Sequence, residues 1–517
     1  MGHAIGIDVG TTNAKVALVA DDGRLIATAT RPIPSRRAGD VAEQDPEALW
    51  RAVADGVRAV TASAPRAAQD VAAVAVCSQY SSIVPVTADG APTADLVLYL
   101  DRRGTAESWA ILDRHPEAFE LWVERHGVPP VGGGLSLAHI LHFQHDRPTV
   151  HAATAAYLEA MDFVNVRLTG RIVATQCTTF MVQLCDNRTL GVTSYDDDLI
   201  RMAGVDADKL PPLVAADATV GPLRPDVARK LGLPAEAVVY AAMNDSQAAA
   251  FATGAFRPGR GGVVIGTTAV LLDDLGHKAV DLEHQLVSMP SPVAGKYLAW
   301  AENGIAGKAV EHVLEHVVYA ADPLGNHETD DHFAALDAAL ASVPAGSGGV
   351  LFLPWLNGSL APRSSGAMRG GFLNLSLDAG RLHLVRAMVE GTAYNLRWLL
   401  PYVEAFTGQR IEELVFGGGA ARSREWAQIL ADVLDRPVHV LASPGSAVAR
   451  AVGLVALLRH GVVAAADVDA LADPVATCEP RATHRERYAV MQAQFEAAYE
   501  AVRPICEALN PDERSSA

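Results

Sequence analysis

A near-repeat constrains this chain more than any other feature: Val9-Gly10-Thr11-Thr12 recurs as Ile265-Gly266-Thr267-Thr268. Each copy follows one apolar run and precedes another, and the two lie about half the chain apart. That spacing predicts two similar lobes, each opening with a hairpin whose turn is Gly-Thr-Thr. At 517 residues the chain also exceeds what one hydrophobic core comfortably fills, which agrees with two domains.

Around the first copy the sequence reads as a β-meander. Runs at Ala4–Val9, Lys15–Ala20 and Arg24–Thr30 are separated by turn residues. A helix follows over Pro46–Ala62, with Asp45 as N-cap and proline just inside, and Val71–Cys77 reads as a buried strand. Gly254, Pro258 and Gly259 place a hinge near Thr253–Arg260. Residues 1–254 are therefore expected to form the acceptor-side lobe and 255–483 the nucleotide-side lobe. In the remaining 484–517, Tyr488, Met491, Phe495 and Tyr499 recur at helical spacing, so an amphipathic helix is expected to dock on the second lobe.

A formal net charge of −18 argues against a protein that tracks a nucleic-acid backbone, which needs a basic field. The five cysteines form no CxxC pair and no even framework, so neither a zinc site nor disulfides are expected, and a reducing cytoplasm fits. Asp8 interrupts the first apolar run too early for a signal peptide, and Val71–Val76 is too short to span a membrane.

Glycine-tight turns bearing hydroxyls suit phosphate, because freed backbone N–H groups and side-chain O–H groups both donate to oxygen. Gly10, Thr11, Thr12, Gly266, Thr267 and Thr268 supply this twice. Asp8, just before the first turn, is a candidate Mg²⁺ ligand beside the phosphates, or simply closes the turn. Asp245 follows the strand-like Val238–Met243 and precedes an alanine-rich helix. It suits either a general base for a hydroxyl or a helix N-cap. Gly417, Gly418 and Gly419 end another apolar strand before Ser423, leaving backbone that a flat ring can approach, and Gly445-Ser446-Ala447 could face the same cleft.

Taken in order, these pieces resemble the FGGY family of carbohydrate kinases over roughly residues 4–460. Further matching pieces are Glu43–Pro46, Asp101-Arg102-Arg103, Met161–Phe163 with Leu168–Gly170, Asn244–Ser246, Phe352–Pro354, and the helix containing Glu390-Gly391. The resemblance implies an α/β fold of two actin-like, ribonuclease-H-like lobes with ATP in the cleft between them. It also implies Mg²⁺ at Asp8, ATP phosphates at both Gly-Thr-Thr turns, and adenine beside Gly417–Gly419 and Ser423. Asp245 would deprotonate the acceptor hydroxyl of a small sugar or polyol near Gln79, Asp101, Arg103 and Asn244. Tyr80 and Ser81, which follow Gln79, are read from their hydroxyls as further acceptor contacts. Members of the family are often dimeric, so a homodimer is expected by analogy.

The chain departs from the family pattern in several places. Gln79 is followed by Tyr80-Ser81-Ser82, where xylulose-type members carry Met-His and glycerol-type members Arg-Glu. Tyr99 stands for a tryptophan, His139 and His142 for a lysine and a tryptophan, and Asn374 for a glycine. The overall pattern is closest to xylulokinases, with erythritol, glycerol or gluconate as alternative acceptors. A catalytically silent sugar-binding or regulatory protein is the alternative of another class, against which both aspartates are retained. Hydroxyls without a cation at Tyr80–Ser82 favour a neutral ketose or polyol over an aldonate.

Overall fold

The computed structural model describes residues 2–319, 332–464 and 474–511. The expected meander forms from β1 (His3–Val9), β2 (Asn13–Val19) and β3 (Leu25–Pro32), antiparallel and in sequence order. Helix α1 (Pro46–Ser63) begins as its sequence requires: Asp45 lies in extended conformation and its carboxylate accepts from the Glu47 N–H. Strand β4 (Val71–Ser78) pairs parallel to β1 and is apolar almost throughout, as a strand covered on both faces must be. The lobe's sheet is completed by β5 (Thr219–Pro222), β6 (Val238–Tyr240) and the short β7 (Met243–Asn244), the last two parallel to β4.

Helix α2 (Asp245–Thr253) leaves β7 and ends at Gly254, whose φ of 67° is the left-handed stop. The second sheet then starts with the hairpin of β8 (Arg260–Ile265) and β9 (Thr268–Leu275), closed by the second Gly-Thr-Thr. It continues through β10 (Leu286–Pro290) and β11 (Tyr297–Ile305) on one side. On the other lie β12 (Glu413–Gly417) and β13 (Val438–Leu441), parallel to β8. Both lobes thus join an antiparallel hairpin to parallel strands, which is the repeat seen in the sequence.

Between the second sheet's strands run α3 (Gly307–Val313), the long α4 (Arg381–Thr407), α5 (Arg424–Leu434) and α6 (Ala447–Arg459), and α7 (Arg485–Leu509) follows the last strand. The α7 stripe docks on the second lobe: Tyr488 and Phe495 are fully buried, and Met491 and Tyr499 nearly so. Glu390 of α4 holds it by accepting from the Tyr488 hydroxyl at 2.9 Å, and it also accepts from Arg386 Nε and Ser347 Oγ. Gly391 lies against the Phe352 carbonyl, 2.3 Å from where a Cβ would stand. These two motif segments therefore meet in the core, where they hold helix to strand. Among the described residues no helix is long and apolar enough to cross a membrane.

One element crosses the sequence boundary. Helix α6, read with the second lobe, packs on the first lobe's sheet across β1, β2 and β4. The contact is backbone on backbone: a Cβ at Gly6 would stand 1.9 Å from the Ala449 carbonyl and 2.5 Å from the Gly453 nitrogen. Gly6→Ala should therefore destabilise the fold by about 1–3 kcal/mol, the range for overpacking a tight core. Urea unfolding checks this, and equal midpoints for variant and parent would refute the contact. Gly266→Ala is the control, since a Cβ there meets nothing within 4 Å.

Candidate active site

Sheet register brings the two singled-out aspartates to one edge. Asp8, Cys77 and Met243 form one row across three parallel strands, and Val9, Ser78 and Asn244 form the next. Asp245 follows Asn244 immediately, so Asp8 and Asp245 both lie at the carboxyl end of these strands, where α/β proteins place their chemistry.

The competing reading of Asp245 as the helix cap fails on geometry. Asn244 is the cap: its Oδ1 accepts from Ser246 N at 2.7 Å, and Gln247 Oε1 accepts from Asn244 N at 2.9 Å to complete a capping box. Asp245 begins the first turn with its carboxylate free of that duty. Asn244 itself, expected on the substrate, spends its side chain on the cap and on the Ser78 carbonyl.

Burial and charge shape both carboxylates. Loss of hydration, then the nearby charge of Asp8, push the Asp245 carboxyl from its ordinary 3.8 to about 7. Asp8 is also raised by burial, offset by Lys15, whose Nζ lies 3.6 Å from Oδ2. The Cys77 thiol lies 3.7 Å from Asp8 Oδ1.

The two Gly-Thr-Thr turns each close through the glycine N–H, the second one residue tighter than the first. Gly10 N–H donates to the Asn13 carbonyl at 3.0 Å and Gly266 N–H to the Thr268 carbonyl at 2.9 Å. The glycine N–H groups are thus occupied. Among the described residues no backbone bond uses the N–H of Thr11, Thr12 or Thr267, so those donors stay available. The side chains of Thr12 and Thr267 are exposed.

Beside the second turn is a cavity of about 300 Å³. Gly266, Thr267 and Gly419 line it together with an apolar wall that includes Val310, Leu314 and Trp426. Its size and apolar character suit a flat heterocycle, with the turn at one end for a charged tail. Gly419 has open space where a Cβ would be, whereas Gly418, at φ 87°, lies 2.4 Å in Cβ terms from the Ile265 carbonyl. Gly417 is the last residue of β12. The three glycines therefore do different things, and only Gly419 faces the cavity.

Sequence reasoning missed Gly307 and Lys308. A Cβ at Gly307 would stand 2.1 Å from the Gly266 carbonyl, and the N–H groups of Ala306 and Lys308 both donate to the Thr267 carbonyl. The start of α3 thus braces the turn. The run Asn303-Gly304-Ile305-Ala306-Gly307, with its small residues, is the signal that could have shown this.

Other expected site residues are placed differently. Ser423 is fully buried: its hydroxyl caps α5 by accepting from Trp426 N at 3.0 Å and donates to Asp337, so it does not line the cavity. Gly445 faces the Arg422 guanidinium. Asp101 is fully buried, accepting from Ala42 N and from Arg103, which also pairs with Glu43. Arg103 and Glu43 line a separate cavity of about 360 Å³ in the first lobe.

The Tyr80 hydroxyl is already committed, donating to the Cys177 carbonyl at 2.8 Å and accepting from Gln247 Nε2 at 3.4 Å. Ser81 differs: its φ of 53° is a strained conformation for a non-glycine residue, and its hydroxyl has no hydrogen-bond partner among the described residues. Gln79 donates to Ser82 Oγ at 3.2 Å, while its buried Oε1 has no partner among the described residues. Glu159 holds the loop from beneath, accepting from Ser82 N at 3.0 Å. His139 and His142 are buried, contacting the Asp101 carbonyl and Asp146.

Residues 3–252 match the N-terminal domain of the FGGY family of carbohydrate kinases and residues 261–458 its C-terminal domain. The xylulose kinase of Bacillus subtilis strain 168 is 25% identical over 442 residues, 85% of this chain and 84% of that protein. The glycerol kinase of Gloeobacter violaceus is 30% identical over 449 residues, with the same shares covered. Among solved structures, a ligand-bound xylulose kinase from Lactobacillus acidophilus superposes with a TM-score of 0.84 at 18% identity, covering 97% of this chain and 99% of that one. A xylulose kinase from Rhodospirillum rubrum gives 0.83 at 25% identity, covering 98% and 100%. The fold is accordingly the actin-like, ribonuclease-H-like pair of lobes, and the chain belongs to the FGGY family of carbohydrate kinases, phosphotransferases with an alcohol group as acceptor.

Proposed function

We propose that this kinase transfers the γ-phosphate of ATP to a hydroxyl of a neutral ketose or polyol, with xylulose first among the acceptors, and that Asp245 is the general base. One juxtaposition carries the reading: Asp8 and Asp245 share a sheet edge, while Gly266, Thr267 and Gly419 share one cavity. FGGY kinases use ATP, generally with Mg²⁺.

The chain suits both groups. The cavity at the second turn has an apolar wall for adenine, and Gly266 leaves open space where a side chain would intrude. The threonine N–H and O–H groups of the two turns would bind phosphate oxygens. Asp8 would hold Mg²⁺, whose charge offsets that of the phosphates, with the remaining ligands being phosphate and water oxygens.

In the transfer step, unprotonated Asp245 accepts the proton of the acceptor hydroxyl. That oxygen forms its bond to the γ-phosphorus as the bond to the bridging oxygen breaks, releasing ADP. Asp245→Asn should lower phosphoryl transfer about 10²–10⁴-fold and leave ATP affinity nearly unchanged. Half the parental rate in a coupled ADP-release assay would remove Asp245 from this role. Because the base must be unprotonated and its carboxyl is raised to about 7, kcat/KM should fall as pH drops through that value.

Gly266→Val should leave the fold intact, since its Cβ meets nothing, yet place a side chain at the mouth of the cavity. Calorimetry should then show weakened ATP binding, and an unchanged affinity would separate the turn from the nucleotide. On the acceptor side, the hydroxyl of Ser81 and the unpaired Oε1 of Gln79 favour a ligand rich in hydroxyls. Ser81→Ala should lower kcat/KM for the acceptor and leave the KM for ATP alone. Gluconate ranking first in a panel of pentuloses, polyols and aldonates would overturn the preference for a neutral acceptor.

A further inference from the structure

Gln247 is fully buried, and its amide makes three hydrogen bonds, through both donor positions and its oxygen, to three parts of the molecule. Its Oε1 accepts from the N–H of Asn244, the residue before Asp245, at 2.9 Å. Its Nε2 donates to the Pro290 carbonyl at 2.7 Å, at the end of β10 in the second lobe. The same nitrogen donates to the Tyr80 hydroxyl at 3.4 Å, in the loop that continues to Ser81. Tyr80 extends the link, since its hydroxyl donates to the Cys177 carbonyl and lies 3.9 Å from Met289 Sδ, again in β10.

Apolar packing follows the same seam. Ala249 and Ala250 of α2 share a buried cluster with Leu272, Met289 and Leu298 of the second lobe and Phe180 of the first. A capping box alone needs only the Oε1 of such a glutamine. Here the two donor positions are spent on the opposite lobe and on the acceptor loop.

We propose that Gln247, with Tyr80, is a positioning latch that fixes the turn carrying Asp245 against the second lobe, and so sets the base in register with the phosphate it serves. The inference rests on Asp245 being the base. Phosphoryl transfer depends chiefly on placement, and a shift of about 1 Å can cost roughly 10²-fold in rate. A base held out of register leaves water as a competitor for the phosphate.

The test measures, for each variant, turnover, the KM for ATP, and ADP released per acceptor phosphorylated. The acceptor is whichever of xylulose, glycerol and gluconate supports the fastest turnover. Gln247→Met keeps the length of the side chain and removes the amide. It should reduce turnover roughly 10- to 100-fold, keep the KM for ATP within about twofold, and raise the ratio of ADP to phosphorylated acceptor. Tyr80→Phe leaves the bonds to Asn244 and Pro290 in place and should raise the same ratio to a smaller extent.

A Gln247→Met protein that melts like the parent and keeps both turnover and ratio overturns the latch. If that variant does not fold, an unchanged ratio in folded Tyr80→Phe overturns it equally. Asp245→Asn separates the two ideas. Should it stay active, the base assignment fails; should it be inactive beside a normal Gln247→Met, the latch alone fails.

Discussion

The structure depends most on the contact between Gly6 of β1 and the backbone of α6 at Ala449 and Gly453. Gly6 has no room for a side chain against that backbone, and a Cβ at Gly453 would stand 2.7 Å from Val19, so helix and strand approach closely. The consequence is mechanical. A helix that follows the glycine triplet and β13 in the second lobe is seated on the sheet that ends in Asp8. With α2 running the other way, from Asp245 into the second lobe's core, two crossing elements hold the lobes together.

At the edge those elements define, two buried carboxylates face a shared problem of hydration and repulsion. An aspartate held at about 7 instead of 3.8 burdens the fold: the burden builds as pH rises from about 4 to 7 and is complete above. The same burial that strains the charge raises the carboxylate's affinity for a proton, which suits the proposed base role. A lysine 3.6 Å from Asp8 relieves part of the repulsion.

The surroundings separate side chains already committed from those still available. Tyr80, Asn244, Ser423 and Asp101 look functional in sequence because they are polar and stand beside motif residues, yet each satisfies its hydrogen bonds within the protein. Among the described residues the Oε1 of Gln79 has no partner and no hydrogen bond of the Ser81 hydroxyl is found, and Ser81 holds a strained backbone as well. Relatives of this chain are named as xylulose, glycerol and gluconate kinases.

What the sequence determined by itself was local and periodic. The meander, the Asp45-capped helix, the apolar β4, the paired turns and the α7 stripe all follow from alternation, 3.6-residue spacing and turn chemistry between near neighbours. The order of its motifs sufficed to indicate the family. Only the tertiary structure decided which polar groups remained unpaired, that Asn244 and not Asp245 caps α2, and that Gly307 braces Gly266. It also decided that α6 crosses to the other lobe. Each of these depends on a partner far away in the chain, and the hydrogen-bond capacity of a side chain is settled only when every neighbour that could claim it is in place.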